Sequence, residues 1–337
     1  MKNGIWIILS LLIALLFISN LFWGSVSIPF TDVLRVLSGG ESANGTWGYI
    51  VLQSRLPQAV TALLAGSALA AAGLLLQTAF GNPLAGPSIL GITSGASLGV
   101  ALVMLAVGNS VLGSVSGSLS TVAGAFAGSA LILGIIIFFS TVVRSSVMLL
   151  IVGIMVGYIA NSIITLLNFF ASESSVFSYT LWGMGDFSSV TLSDLPFFSV
   201  ITLIGLLLAI LLIKPLNALL LGDRYAENLG VNVRRARLLL LLCTGLLTAI
   251  VTSYCGPIAF LGLAVPHIAR LMLGSSNHKV LLPVTMIVGG GVALMCNLIC
   301  SMPWQSGIIP LNAVTPVFGA PVIIYVIINK AKIEYFN

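Results

Sequence analysis

Apolar residues in this chain fall in long runs, broken only by charges, Pro/Gly clusters and short polar turns. A membrane-crossing helix needs about 20 consecutive apolar residues. Cutting the chain at its breaks predicts about ten such helices, near 5–23, 57–79, 88–107, 119–140, 147–170, 195–213, 238–254, 257–273, 281–300 and 313–329. The third and eighth are the weakest, because each abuts a short Gly/Pro turn. The first run invites a signal-peptide reading, but its length and the lack of a small-x-small site after it favour a retained helix.

Composition points the same way. The 337 residues are 58% hydrophobic and 6% charged, with a mean hydropathy of +1.17, whereas soluble domains carry about 25% charged residues. The expected fold class is therefore an all-α polytopic membrane protein, a single transmembrane domain over 1–337. Charge sorting supports the count. With the N-terminus inside, Lys2, Arg144, Lys214, Arg224, Arg234, Arg235, Arg237, Arg270, Lys279, Lys330 and Lys332 fall on the inner side, and Arg35 and Arg55 on the outer. Inner loops should be rich in Lys and Arg, so both termini are expected to be cytoplasmic. The net charge of +5 then reflects topology, not nucleic-acid binding.

One stretch resists the apolar pattern. Residues 214–237 hold seven charges, from Lys214 to Arg237, and include turn residues. Such an island cannot sit in lipid. It reads as a cytoplasmic docking surface for a partner. The larger outer loops are 24–56 and 171–194.

Candidate chemistry is sparse. Gly95-Ala-Ser97-Leu-Gly99 matches G-x-S-x-G, yet a nucleophile needs a base within reach, and the only histidines, His267 and His278, lie near the inner end. Gly95/Gly99, Gly124/Gly128 and Gly153/Gly157 are small-xxx-small pairs suited to close helix packing. Cys243, Cys255, Cys296 and Cys300 read as small buried hydrophobes. The chain has no G-x-x-x-x-G-K-[ST] motif, so any ATP it depends on is bound elsewhere. No Asp or Glu lies inside a predicted span, which argues against an ion-coupled carrier. On the fifth span Gly157, Asn161, Thr165 and Asn168 follow Gly153 at near-helical spacing, a polar face that must meet another helix or an aqueous path. Gly81-Asn82-Pro83-Leu84-Ala85-Gly86-Pro87 is a tight inner turn that could narrow the mouth of such a path.

Five ordered blocks carry a family resemblance that runs nearly end to end: Arg55-Leu-Pro-Gln58; Gln77 with Asn82-Pro83-Leu84-Ala85 and Gly91-Ile-Thr-Ser-Gly95; Trp182-Gly183-Met-Gly185; Asn228-Leu-Gly230-Val-Asn-Val-Arg234-Arg235; and Gly256-Pro-Ile-Ala-Phe260-Leu-Gly262-Leu-Ala-Val-Pro266-His267-Ile-Ala-Arg270. Together they resemble the permease subunits of type II ABC importers for iron-siderophores, haem and cobalamin, the FecCD/BtuC-type family. The resemblance implies a BtuC-like fold of ten helices in the cytoplasmic (inner) membrane. It implies a homodimer with a central path, two ATP-binding cassette subunits that carry ATP and Mg, an extracytoplasmic binding protein, and no cofactor on this chain.

By the same resemblance, Gly222, Asp223, Glu227, Leu229, Gly230, Val231, Arg234 and Arg235 couple to the ATPase. Arg55 docks the binding protein, and Asn82, Pro83, Leu84, Gly157, Asn161, Thr165 and Asn168 line or gate the path. The pattern departs at Gln58, at Asn297-Leu-Ile-Cys-Ser301 where the family has D-L-x-A-R, and at Ile308-Ile-Pro-Leu-Asn312 where it has E-L-P-V-G. Expected outer cations are missing there, which puts charge-pair docking in question. The competing readings are an ion-coupled secondary transporter and an intramembrane hydrolase built on Ser97.

Overall fold

The computed structural model describes residues 2–40, 42, 44–106, 115–143, 145–302 and 309–329. Arg144, Ile308, Lys330 and Lys332 lie outside the described residues. Among the described residues the secondary structure is helical, in fifteen α-helices. They are α1 (Lys2–Phe22), α2 (Phe30–Leu37), α3 (Gly45–Tyr49), α4 (Leu56–Phe80), α5 (Ile92–Ala101), α6 (Val115–Val142), α7 (Ser146–Phe170), α8 (Glu173–Gly183), α9 (Leu195–Leu211), α10 (Ile213–Leu219), α11 (Asp223–Asn228), α12 (Val233–Cys255), α13 (Leu261–Leu273), α14 (His278–Cys300) and α15 (Leu311–Ile328). Short π-helical turns over Ile50–Arg55 and Leu102–Ala106 join α3 to α4 and extend α5.

Each predicted run coincides with a long or apolar helix. Among the described residues six helices are long and apolar enough to cross a membrane, or seven if α9 and α10, bent by 50° at their junction, form one span. Three shorter apolar helices, Trp6–Phe22, Ile92–Ala106 and Leu261–Leu273, occupy the other predicted runs. The stretches read as outer loops are partly helical: α2 and α3 lie within 24–56, and α8 within 171–194. These helices are too short to show a long apolar run, so they were not visible as spans. The bend after Leu211 has a local cause. Pro215 has no N–H to give the Leu211 carbonyl and its ring crowds that oxygen.

The organising element is α4. It packs against α14, α12, α13 and α9, and every residue from Ala65 to Phe80 is buried. A helix buried all round cannot be amphipathic. Its sequence from Ala65 to Gly73 is instead dominated by alanine and glycine, which lets neighbouring backbones come close. A Cβ on Gly73 would collide with the Gly262 carbonyl of α13, and one on Gly66 with the Gly289 carbonyl of α14. The small-residue pairs seen in the sequence meet in the same way. Gly95 and Gly99 of α5 lie against Gly128 and Gly124 of α6, while Gly153 of α7 lies against Leu90 and Gly91.

Backbone outside helices needs partners where water is absent. The 13 residues of α13 rise only about 20 Å, less than the roughly 30 Å of a hydrocarbon core. The stretch 256–260 before it therefore falls at membrane depth and has to be held by protein. All four cysteines are buried and unbridged.

Gly73→Val should force α4 and α13 apart and lower stability by at least about 1–3 kcal/mol, the range for overpacking. Gly134→Val is the control, since nothing lies within 4 Å of a Cβ there. Thermal unfolding in detergent checks this; equal midpoints for the two variants would refute the close contact.

Candidate functional site

The island predicted at 214–237 folds as α10, a turn, α11 and a second turn into α12. Gly230, with φ of 81°, closes α11: its N–H bonds the Glu227 carbonyl at 2.9 Å, and the Val231 N–H bonds that of Ala226 at 3.0 Å. This is the Schellman arrangement, which needs a left-handed residue and favours glycine. Nothing lies within 4 Å of a Cβ built on Gly230 or on Gly222 (φ +91°). Backbone shape, not close approach, is what glycine supplies at both. Asn232 then caps α12 by accepting the Arg235 N–H at 2.9 Å.

Of the predicted coupling residues, Gly222, Asp223, Glu227, Leu229, Gly230, Arg234 and Arg235 are exposed and Val231 is half-buried. Leu221, Tyr225 and Leu229, at four-residue steps, expose 51%, 67% and 65% of their surface. Large apolar side chains among charges, on a segment too polar for lipid, mark an interaction surface. Beside it lies a cleft of about 350 Å³ lined by Asp223, Glu227, Val233, Arg234 and Arg237 with Thr141 and Phe80.

The island is fastened to the last turn of α4. Gly81 takes φ of 56°; the Asn82 N–H bonds the Gln77 carbonyl at 3.0 Å and the Gly81 N–H that of Thr78 at 3.3 Å. That Schellman cap leaves the Ala79 carbonyl over. Arg237 of α12 takes it, its Nε donating at 3.2 Å. The same guanidinium donates from Nη2 to both carboxylate oxygens of Asp223, at 3.0 and 2.7 Å.

One residue earlier, Thr78 Oγ1 lies 2.9 Å from Nε2 of His278. His278 meets Asn217 Oδ1 with its backbone N–H at 2.8 Å and with Nδ1 at 3.0 Å. An amide oxygen only accepts, so Nδ1 carries the proton and Nε2 faces the Thr78 hydroxyl, whose one proton is shared between it and the Leu74 carbonyl at 3.0 Å. Gln77 reaches α13: its Nε2 donates to the Leu263 carbonyl at 3.2 Å, and its Oε1 accepts from Arg270 Nη1 at 2.7 Å.

The turn after α4 is held from α13 as well. His267 Nε2 donates to the Pro83 carbonyl at 2.8 Å, and Asn82 Oδ1 accepts the Leu84 N–H at 2.9 Å. Asn82 and Pro83 are half-buried, and Leu84 is 40% exposed. The predicted gate residues thus sit within one turn of the island's anchors. None of Gln77, Thr78, Asn217, Arg237 and His278 was singled out from the sequence as coupling. Asn217 and Arg237 lay inside the island but outside its named coupling residues.

The polar face of α7 divides. Gly153 and Gly157 are buried against Leu90, Gly91 and Ser94, whereas Asn161 and Thr165 are exposed. Four-residue steps over-rotate by about 40° on a 3.6-residue helix, so a line starting against α5 drifts outward. Gly157 therefore belongs to packing within the chain, correcting its expected place on the path. Thr165 Oγ1 donates to the Asn161 carbonyl at 2.9 Å. Asn168 is half-buried, and its Oδ1 is shut from solvent without a hydrogen-bond partner among the described residues.

At the opposite end, Arg55 corrects a second expectation. It is 5% exposed, not an open cation. Its Nη1 donates to the carbonyls of Leu21 at 3.0 Å and Phe22 at 2.8 Å, and its Nη2 to that of Val26. A helix C-terminus leaves its last carbonyls unpaired, and Arg55 closes that of α1. Asn312, where the family pattern has glycine, joins two other segments. Its Oδ1 accepts the Ala259 N–H at 3.1 Å, and its Nδ2 donates to the carbonyls of Gly183 at 3.1 Å and Pro257 at 2.6 Å. This is what holds the irregular 256–260 backbone. Ser97 hydrogen-bonds Tyr179, while both histidines are engaged at the island end, so no nucleophile–base pair forms on G-x-S-x-G.

With this geometry in place, comparison with known proteins is informative. The FecCD transport family matches residues 11–329. The vitamin B12 import system permease protein BtuC of Klebsiella pneumoniae is 34% identical over 292 residues, covering 86% of each chain. The hemin transport system permease protein HmuU of Yersinia pestis is 32% identical over 325 residues, 96% of this chain and 95% of that one. A solved chain of a metal-chelate type ABC transporter in an inward-facing conformation superposes with a TM-score of 0.84 at 27% identity, covering 97% of this chain and 99% of that one. The chain belongs to the FecCD transport family.

Arg55→Met should strand buried carbonyls and lower stability by about 1–3 kcal/mol. Thermal unfolding of the purified chain measures it; an unchanged midpoint would return Arg55 to the surface as a free cation.

Proposed function

We propose that this member of the FecCD transport family is the membrane-spanning permease of an ATP-driven importer, moving a bulky chelate inward across the cytoplasmic membrane. It is a transport protein and not an enzyme; ATP and Mg belong to a separate ATPase subunit, and the chain itself needs no cofactor. The observation that carries this reading is the exposed surface of α11 and its flanking turns, tied through Arg237 to the end of α4, from which the turn of Asn82, Pro83 and Leu84 follows. A partner seated there is joined, through Arg237 and the end of α4, to the turn we assign as the inner gate.

The cargo we assign is an iron chelate, a ferric siderophore or haem, with cobalamin as the second choice. The names of the hemin and vitamin B12 relatives support that class. The working unit is a homodimer with two ATP-binding cassette subunits and an extracytoplasmic binding protein, with both termini cytoplasmic. Exposed Asn161 and Thr165 on a lipid-length helix support the dimer, since polar groups facing hydrocarbon are costly. A second copy or the water-filled path between copies would take them. With Arg55 turned inward, the binding protein docks through other outer groups.

In this mechanism the path holds its cargo weakly. ATP binding closes the ATPase pair, the α10–α11 surfaces follow, and the inner and outer mouths alternate. The nucleotide acts by favouring one of two states of another chain.

Growth of a deletion strain on haem, single ferric siderophores or a corrinoid as sole source tests the assignment. Loss on one iron source, restored by this gene, is expected; loss only on the corrinoid would replace the iron cargo, and growth unaffected on all three would contradict the class. Gly230→Val forces a β-branched residue into a left-handed site at roughly 1–2 kcal/mol, enough to shift a two-state balance about tenfold. Reconstituted with its ATPase, that variant should hydrolyse ATP while uptake falls; normal coupled uptake would remove Gly230 from the mechanism.

A further inference from the structure

We propose that the last turn of α4 is the relay between the docking island and the 81–87 turn, with Arg237 and His278 as the positioning residues that stiffen it. The inference rests on the reading of α10–α11 as the ATPase seat and adds the route by which that seat acts.

After the Schellman bonds of Gly81 and Asn82, the Ala79 carbonyl has no partner within its own helix. Its bond from Arg237 Nε joins it to the guanidinium that also grips the Asp223 carboxylate. A guanidinium is planar and rigid, so α11 and the end of α4 hang on one flat group. Neither can shift far without breaking a bond or carrying the other along.

A second strut lies one residue away. Asn217 of α10 meets His278, whose far nitrogen lies 2.9 Å from the Thr78 hydroxyl. Gln77, the residue before, is held to α13 through Leu263 and Arg270. Consecutive residues 77, 78 and 79 are thus fastened to α13, to α10 through α14, and to α11 through α12. The chain then turns at Gly81 directly into Asn82-Pro83, and Pro83 is anchored to His267. A displacement of α10–α11 enters at 78 and 79 while 77 and 83 stay fixed to α13. The segment between these fixed points is the one that has to twist.

A purely stabilising role fits poorly. Asp223 and Arg237 side chains are 51% and 23% exposed, and ion pairs so open to water add little to stability. The Arg237 relay therefore predicts lost coupling with retained fold and retained partner binding.

The test uses the permease reconstituted in proteoliposomes with its ATPase and binding protein, reading cargo taken up per ATP hydrolysed. Arg237→Lys keeps a charge for Asp223 but cannot span to Ala79 from a second nitrogen. Its melting point and ATPase binding should match the parent, while uptake per ATP falls at least about fivefold, the low end of ordinary coupling. His278→Leu removes the second strut, and His278→Asn, which can keep one bond to Asn217, should lose less. Parent-like uptake per ATP in Arg237→Lys would overturn the relay. Failure of the parent permease to bind any ATPase would overturn the functional reading instead.

Discussion

A helix that ends inside a protein leaves carbonyls that something must satisfy, and in this chain the end of α4 decides where everything around it sits. Gly81 and Asn82 take two of those carbonyls by local turn geometry. The Ala79 carbonyl must look elsewhere, and it finds Arg237. Through that one requirement the central helix, the charged island and the inner turn share a junction. The same turn places Thr78 against His278 and Gln77 against Arg270, so the junction is a polar cluster at the inner end of an apolar bundle. Buried polar groups persist when they are paired, and each of these side chains is paired across elements distant in sequence.

The same rule explains the opposite end. Arg55 closes the end of α1, and Asn312 holds the non-helical stretch 256–260 against α8 and α15. Between these two ends the bundle is built from small residues. Gly73 and Gly262 allow α4 and α13 to touch backbone to backbone, which brings His267 and Arg270 into reach of Pro83 and Gln77. Close packing in the middle and polar clamps at the ends are therefore one design: the first sets the distances that the second needs.

Much of the architecture was legible because lipid imposes a coarse code. Ten apolar runs and a single charged island were plain in the residue pattern, and the small-residue pairs that close α5 on α6 were visible at their four-residue spacing. What was hidden follows from what that code leaves out. Hydropathy cannot say which way a long side chain turns, so Arg55 read as an outer cation although it caps a helix. Four-residue spacing drifts round a helix, so Gly157 and Asn161 looked like one face although one is packed and the other exposed. Glycine at 230 suits either a positive φ or a close approach, and the structure shows the former: φ is 81° and nothing lies within 4 Å of a Cβ there. Arg237 was not legible, because its partner is a backbone carbonyl far away in sequence and carbonyls carry no sequence signal. The short helices α2, α3 and α8 escaped because they are no longer than many loops.

The most direct measurement is amide hydrogen exchange across the reconstituted complex, with and without ATP bound to the ATPase subunits. The junction predicts that residues 77–85 change protection together with 213–232, because the two segments share the Arg237 and His278 bonds. A change confined to 213–232, with the end of α4 and its turn unaltered, would contradict it.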